Sequence, residues 1–264
     1  MKFFAKYLIL FSLFAALLSF TTGHAQNNQY NRKDAAGLRQ GPWRGFFENG
    51  SLRYEGNFVD NNPVGVFRYY YPQGQLRAEL VHEPGEKEVK ATYYHRNNEI
   101  LGEGIFVNQK MQGLWRFYSE SGILLTEHQY QDGKNHGLWK IFYDDGTVAE
   151  LQTWHHDNLH GKFERYYKDG SIYIRAWYKD DELNGEYEIF YPDGSLMVTG
   201  QYLENLNDGK WVWYSQEGET EKRVIYDKGE VIEEEIFIEK DDEAIPLRPG
   251  PERGDEPWDR AGFR

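Results

Sequence analysis

The sequence predicts an all-β fold, namely an elongated, single-layer antiparallel β-meander of about eight β-hairpins, each 24 residues long. Residues 41–232 divide into units of 24 residues without insertions, and every unit but one begins with glycine. A second glycine follows nine residues later in every unit but one. Aromatic residues make up 17% of the chain, which favours strands over helices. The unit-opening residues are Gly41, Gly65, Val89, Gly113, Gly137, Gly161, Gly185 and Gly209.

Each unit contains two turn signals. Positions are numbered from the unit-opening residue, which is position 0. The glycine at position 9 usually follows an acidic or polar residue, as in Asp145-Gly146, and a second polar pair such as Asp60-Asn61 falls near position 20. Two turns in 24 residues leave two strands of about six residues, a normal strand length. The spacing is too short for helices, and no segment holds a helical period.

The face assignment depends on the first turn. Position 5 is aromatic in all eight units, which favours a three-residue loop with a bulged glycine and places positions 5, 11 and 17 on one packed face. A two-residue turn would instead group positions 11 and 17 with positions 6 and 2. With the bulged loop, the aromatic residues at position 2 lie on the opposite face and form a possible interaction surface. These residues are Trp43, Phe67, Trp115, Trp139, Phe163, Tyr187 and Trp211.

The first residues are typical of a secretory signal peptide. Residues 1–25 begin with two lysines, continue as an apolar run over 8–18 and end in small residues, which predicts cleavage after Ala25. An uncleaved membrane anchor is the alternative, although the run is short for a span of about 20 residues. We therefore expect an exported protein, located in the periplasm, on the cell surface or outside the cell.

The remaining segments flank the array. Residues 26–40 form a polar leader, and residues 233–239 provide a possible extra strand. Residues 240–264 are acidic and rich in proline, so we expect this tail to be disordered.

Composition excludes several classes of function. The formal net charge of −13 gives no electrostatic attraction to phosphate backbones, so we expect no nucleic-acid partner. The chain has no cysteine, which removes disulfides, thiolate metal sites and cysteine nucleophiles together.

The unit G-x-W-x-x-[FY]-[FY]-x-D-G-x-L resembles the variant class of MORN (membrane occupation and recognition nexus) repeats. Gly137–Trp139, Phe142–Tyr143 and Asp145–Val148 match it best, whereas the third unit departs at Val89 and Ala91. Bacterial arrays of such units are often catalogued as antitoxin-like proteins of the YwqK type. The resemblance implies scaffolding or interaction roles and no shared catalytic residues.

Two residue groups are candidates for chemistry. His155, His156 and His160 are the best metal candidate, because His156 and His160 would share a face on a helix. They flank a predicted turn, so we expect solvated or structural histidines. The second group is a row of acids at position 14, which we interpret as a solvated face. That row consists of Glu55, Glu79, Glu103 and Glu127. The sequence thus predicts no catalytic residue, no metal ligand and no cofactor.

These observations favour an exported, non-enzymatic scaffold for protein–protein interaction, with a protein as its partner. A glycan- or membrane-binding module of the cell envelope is the main alternative, because rows of aromatic rings also suit sugars and lipid interfaces. An antitoxin or immunity protein is the third hypothesis.

Overall fold

The computed structural model describes residues 29–238, which form strands and turns with no helix among them. The predicted signal peptide, the first residues of the leader and the predicted tail lie outside the described residues. The strands are β1 (Arg32–Lys33), β2 (Arg39–Phe46), β3 (Leu52–Val59), β4 (Asn62–Tyr70), β5 (Leu76–His82), β6 (Glu88–Tyr94), β7 (Ile100–Val107), β8 (Lys110–Tyr118), β9 (Leu124–Gln131), β10 (Lys134–Asn135), β11 (Gly137–Phe142), β12 (Val148–His155), β13 (Asn158–Tyr166), β14 (Ile172–Lys179), β15 (Glu182–Phe190), β16 (Leu196–Leu203), β17 (Leu206–Tyr214), β18 (Thr220–Asp227) and β19 (Glu230–Ile236).

The strands form one antiparallel sheet in meander order. Every strand but β10 pairs with the next along the chain. β10 and β11 instead follow one another along the edge of β9, and both pair with it. Hairpin β2–β3 is the first of eight, and β17–β18 is the last. β1 covers part of the edge of β2 within the predicted leader, and β19 closes the other end of the array. The predicted fold class is therefore confirmed.

The first turn of each unit is the predicted three-residue loop, with a bulged glycine in every unit but the third, where Asn98 takes that place. In the first unit, Phe47 N–H donates to Ser51 O and Gly50 N–H donates to Phe47 O, both at 2.9 Å. Gly50 has a φ of 82°, a left-handed conformation that glycine adopts without a Cβ penalty.

The second turn is a two-residue hairpin in every unit but the second, where residues 83–87 form a longer loop between β5 and β6. Asp60 and Asn61 connect β3 to β4 with φ angles of 49° and 65°, so both central residues are left-handed. This is the type I′ geometry, whose twist matches that of the flanking strands. Polar residues near position 20 are therefore turn residues, as expected.

The predicted grouping of position 17 with positions 5 and 11 is wrong. Phe46 pairs with Leu52, but Gly45 pairs with Tyr54, so Arg53 is an extra residue in β3. This second bulge lies at position 12 and reverses which side chains face each way. Position 17 therefore shares a face with position 2. Phe58, for example, packs edge-on against Phe67 at 5.0 Å between ring centroids.

We call the side that carries positions 2 and 17 the ring face. Several of its rings lie across glycines of the preceding hairpin. A Cβ atom added to Gly104 would overlap the indole of Trp115, and one added to Gly200 would overlap that of Trp211. Trp211 Nε1 also donates to Gln201 O at 3.1 Å. Trp211 thus joins the seventh and eighth units through one ring contact and one hydrogen bond, in addition to the strand pairing.

The third unit is built differently. Val89 replaces the glycine, and β5 pairs with β6 without the register shift seen at other unit joins, such as β3–β4. Ala91 replaces the ring at position 2, and its cross-strand partner is Leu80, where the first unit has Gly56. Leu80 packs with Ala91 in one cluster, so a larger residue on one strand compensates for the smaller one on the other.

Candidate functional site

The seven position-2 rings lie mostly inside the ring face. Phe67, Trp115, Trp139, Phe163, Tyr187 and Trp211 are buried, and Trp43 is half-buried. These side chains contact one another and the position-17 rings, as in the 5.0 Å contact between Tyr202 and Trp211. The rings therefore hold neighbouring hairpins together, and accessible recognition groups lie elsewhere on the sheet.

The opposite side carries the position-14 acids, and we call it the ion-pair face. Glu55 accepts from Arg44 at 3.1 Å and from the Tyr70 hydroxyl at 2.9 Å. The pattern repeats at Glu79 with Arg68 and Tyr94, and Glu127 pairs with Arg116 and Lys140. Three of the four acids therefore have cationic partners across the strands, whereas Glu103 accepts from the Tyr118 hydroxyl at 2.8 Å. The predicted solvated face is thus a row of paired rather than isolated charges.

The charges exchange places further along the chain. Glu164 stands at position 3, where the first units have arginine, and it pairs with Arg175 at 3.2 Å. Arg175 also reaches Glu188 of the next hairpin at 2.9 Å. Burial opposes ionisation of Glu164, but hydrogen bonds led by that from Lys162 outweigh it and lower the pKa of this carboxyl. The ion-pair face therefore keeps its pairing although the signs are swapped.

A cleft of about 340 Å³ opens between the first two units. The Tyr54 and Tyr69 rings lie 6.1 Å apart, and the Arg53 guanidinium stands 5.5 Å from the Tyr54 ring. Burial, followed by the neighbouring Tyr54, raises the pKa of Tyr69, whereas Arg77 opposes that rise. We call this the arginine–tyrosine cleft. It is lined by Phe47, Arg53, Tyr54, Tyr69, Tyr70 and Arg77.

Two cations of the arginine–tyrosine cleft lack a counter-charge. Arg53 and Arg77 are exposed, and neither forms an ion pair with any residue in 29–238. Both occupy the bulge at position 12, which later units fill with uncharged residues or with Glu221. Six other arginines of the sheet are paired with glutamates, namely Arg44, Arg68, Arg116, Arg165, Arg175 and Arg223.

Sequence reasoning missed this cleft because it depends on positions that vary between units. Gly45 is one such position, and it leaves the space into which the Tyr54 ring fits, since an added Cβ would overlap that ring. Arginine at position 12 in only the first two units is the one signal that could have indicated the site.

A cluster of histidines lies on the side of the sheet that carries the two-residue turns, away from the glycine loops. His155 ends β12, His156 begins the following turn with a φ of 52°, and His136 stands between β10 and β11. Ring nitrogens of these three residues lie within 4.8 Å of one another. Desolvation, followed by the rings of His156 and His136, lowers the pKa of His155. His160 is oriented separately by Asp180, with Nδ1 and Oδ1 3.2 Å apart.

The outer edge of β19 is open in the described part of the chain. Val231, Ile232, Ile236 and Phe237 are each more than half exposed, and three consecutive glutamates, 233–235, lie between them. This segment combines apolar and acidic side chains. It therefore differs in character from the arginine–tyrosine cleft at the other end of the array.

The fold and these surfaces define an open array of β-hairpin repeats. The family model of the MORN repeat variant matches residues 39–60, 63–82, 111–132, 135–156, 159–180 and 183–204. The chain is a MORN-variant repeat protein, and that family is a non-catalytic repeat family. The third and eighth units lie outside the matched segments, and the third is the unit with Val89 and Ala91. The finer likeness to the YwqK antitoxin type stays a prediction.

Other comparisons add little. No curated protein matches the sequence. The crystal structure of TarM aligns with a TM-score of 0.23 at 10% identity, covering 44% of this chain and 20% of that one. The Photorhabdus luminescens Tc holotoxin pore aligns with a TM-score of 0.19 at 10% identity, covering 71% of this chain and 13% of that one. This chain thus spans a fifth or less of either protein, and the scores are too low to bear on function. Within residues 29–238, no helix is long and apolar enough to cross a membrane.

Proposed function

We propose that this protein is an exported, non-enzymatic scaffold that binds an acidic segment of a protein partner in the arginine–tyrosine cleft. The observation that carries the proposal is the pair of uncompensated arginines, Arg53 and Arg77, beside half-buried tyrosine rings. In a chain of net charge −13, six other arginines of the sheet are already paired with glutamates.

The chemistry of the cleft suits a carboxylate next to an apolar group. A guanidinium binds a carboxylate through two parallel N–H···O bonds, which makes it more selective than a point charge. Tyrosine and arginine dominate the energetically important residues of protein interfaces, because they bury large areas while keeping a polar end. A volume of about 340 Å³ is enough for a short stretch of side chains rather than a whole domain.

A glycan of the cell envelope is the competing ligand, since sugars also stack on aromatic rings. Two free guanidinium groups favour a charged partner over a neutral sugar.

Site-specific photo-cross-linking tests the proposal. A photoreactive residue at Phe47 lies in the cleft, and the same residue at Tyr143 provides a matched control at position 6 of the fifth unit. We expect an adduct with one defined protein from Phe47 only. Arg53→Glu with Arg77→Glu should abolish that adduct, whereas Arg96→Glu, which changes another exposed arginine, should preserve it.

Other outcomes would contradict it. An adduct that survives the double charge reversal would place the binding surface elsewhere. Retention on glycans or liposomes in high salt, without any protein adduct, would favour the envelope-binding alternative. An adduct between two copies of this chain would make a second copy the partner, with the acidic residues 233–235 as the first segment to test, and gel filtration would then reveal concentration-dependent oligomers.

Export is tested independently by N-terminal sequencing of the protein recovered from cell fractions. The proposal expects a chain that begins at Gln26 outside the cytoplasm. An intact chain that begins at Met1 in the cytoplasm would contradict export, and it would strengthen the antitoxin hypothesis.

A further inference from the structure

We propose that His136, His155 and His156 form a binding site for a divalent transition-metal ion of the kind that prefers imidazole ligands, with zinc as the reference ion. This site lies at the edge of the sheet formed by the two-residue turns. It is separate from the arginine–tyrosine cleft, which lies near the glycine loops, and from the partner binding proposed there.

The nitrogen geometry is close to that of a three-histidine site. His156 Nδ1 and His155 Nε2 are 3.2 Å apart, and the three rings bring their nitrogens within 4.8 Å of one another. Zinc binds imidazole nitrogen at about 2.0–2.1 Å in tetrahedral geometry, so two ligands are separated by roughly 3.3 Å. One pair already matches this distance, and small rotations of the exposed His155 and His156 rings would bring all three together.

Backbone contacts hold the cluster in place. Asp157 N–H donates to Asn135 O at 3.0 Å, and Asn135 N–H donates to Asp157 Oδ1 at 2.8 Å. These two bonds fix the turn that carries His156 against the residue that precedes His136. The ring centroids of His136 and His156 consequently lie 5.1 Å apart, although the two residues belong to different hairpins.

One histidine of the cluster has a ring nitrogen without a hydrogen bond. His136 Nδ1 is buried and makes no hydrogen bond to any described residue. Buried polar atoms in native proteins are nearly always satisfied, and an imidazole nitrogen without a donor to accept from is available to a cation.

The site also has room for a fourth ligand. His155 and His156 are exposed, so an ion can enter and keep a water molecule. The ring of His160 lies 5.7 Å from that of His155, and Asp180 orients it in the way carboxylates orient histidines beside metal ions. An imidazole set selects zinc, copper or nickel over calcium and magnesium, which need oxygen ligands.

Calorimetry with zinc chloride on the full mature chain, purified without a histidine tag, tests this proposal. We expect one ion per chain and a rise in the midpoint of thermal unfolding, with no response to magnesium chloride. His136→Asn and His155→Asn should each weaken zinc binding by more than about 100-fold, beyond the 10–100-fold typical of residues that only orient a ligand. His160→Asn should weaken it by about tenfold. His95→Asn, in a histidine that bonds to Tyr118 O in another unit, should leave it unchanged.

Two results would overturn the proposal. One is the absence of saturable zinc binding in the wild-type chain. The other is binding that is unaffected by His155→Asn, whose exposed side chain can change without unfolding the protein, as far-ultraviolet circular dichroism would verify. X-ray absorption of the zinc-loaded protein should show three imidazole ligands, and a shell of oxygen atoms alone would contradict the site.

Discussion

At the scale of single residues, the sheet depends on small side chains that lie beneath large ones. Gly200 is covered by the indole of Trp211, and Gly104 is covered by that of Trp115. A ring can shield the backbone of a neighbouring strand in this way only where that strand has no side chain of its own. The glycines at position 15 are therefore packing residues, unlike the turn glycines at position 9.

We predict that Gly200→Ala destabilises the protein by about 1–3 kcal/mol, because the added methyl group overlaps the Trp211 ring. Urea unfolding measures the change in the free energy of unfolding. The same substitution in a Trp211→Leu background should cost at least about 0.5 kcal/mol less, since the ring is absent. Equal costs in both backgrounds would show that the contact does not limit the packing.

His128 gives the protein a pH dependence. Its ring stacks on Trp139 at 3.5 Å, and burial lowers its pKa to about 3. A histidine in an unfolded chain has a pKa of about 6.5, so between pH 3 and 6.5 the unfolded chain binds a proton that the folded chain does not. The contribution of His128 to the free energy of unfolding should therefore be fully present above about pH 6.5 and should be lost as the pH decreases toward about 3.

The matched variant is His128→Gln, because the next unit has Gln152 at the same position. Chemical unfolding at several pH values should show a shallower loss of stability for this variant between pH 6.5 and 3. Identical slopes for the wild type and the variant would mean that other groups cause the acid sensitivity. The Tyr130 hydroxyl lies 3.5 Å from His128 Nδ1, so Tyr130 stays unchanged in both proteins.

At the scale of hairpins, the sequence predicted the loops better than the faces. Turn glycines and paired polar residues indicate where the chain must take a positive φ, and Gly50 and Asn61 have positive φ angles in the structure. The bulge at position 12 has no such signature, because Arg53, Leu101 and Tyr173 all occupy it. The sequence therefore could not predict the strand register beyond that bulge. It also could not predict which side chains pack against position 17.

The third unit provides a prediction at this scale. Leu80→Gly should destabilise the protein by about 2 kcal/mol through lost packing, and Ala91→Trp by about 1–3 kcal/mol through overpacking. Together they recreate the glycine and ring of the other units, so the double variant should be more stable than the sum of the single effects by at least about 1 kcal/mol. Strict additivity in thermal or urea unfolding would show that the two strands do not compensate for each other.

At the scale of the whole molecule, function depends on which side chains neighbouring hairpins bring together. The sequence predicted repetition and the absence of catalytic residues, but it could not show that Tyr54 meets Tyr69 or that His136 meets His156. Such contacts depend on lateral register, which a period alone does not specify. Both candidate sites accordingly lie at unit joins.

An array of this kind should also tolerate the loss of an end. We predict that a chain ending at residue 208, which lacks the eighth hairpin and β19, still folds cooperatively. The slope of its unfolding free energy against urea concentration should decrease in proportion to the strands removed, because each hairpin contacts mainly its neighbours. Circular dichroism during urea titration measures both quantities. A truncated chain without strand structure would indicate a single cooperative unit instead.

The proposed function requires that the free arginines of the arginine–tyrosine cleft bind carboxylates of a protein partner. The most direct measurement is the affinity of the cross-linked partner's acidic segment for the wild-type protein and for the variant with Arg53→Glu and Arg77→Glu. We predict a loss of at least about 100-fold, roughly 2.7 kcal/mol, with recovery when the segment's acids are replaced by lysines. An affinity that is unchanged by charge reversal on either side would contradict the claim.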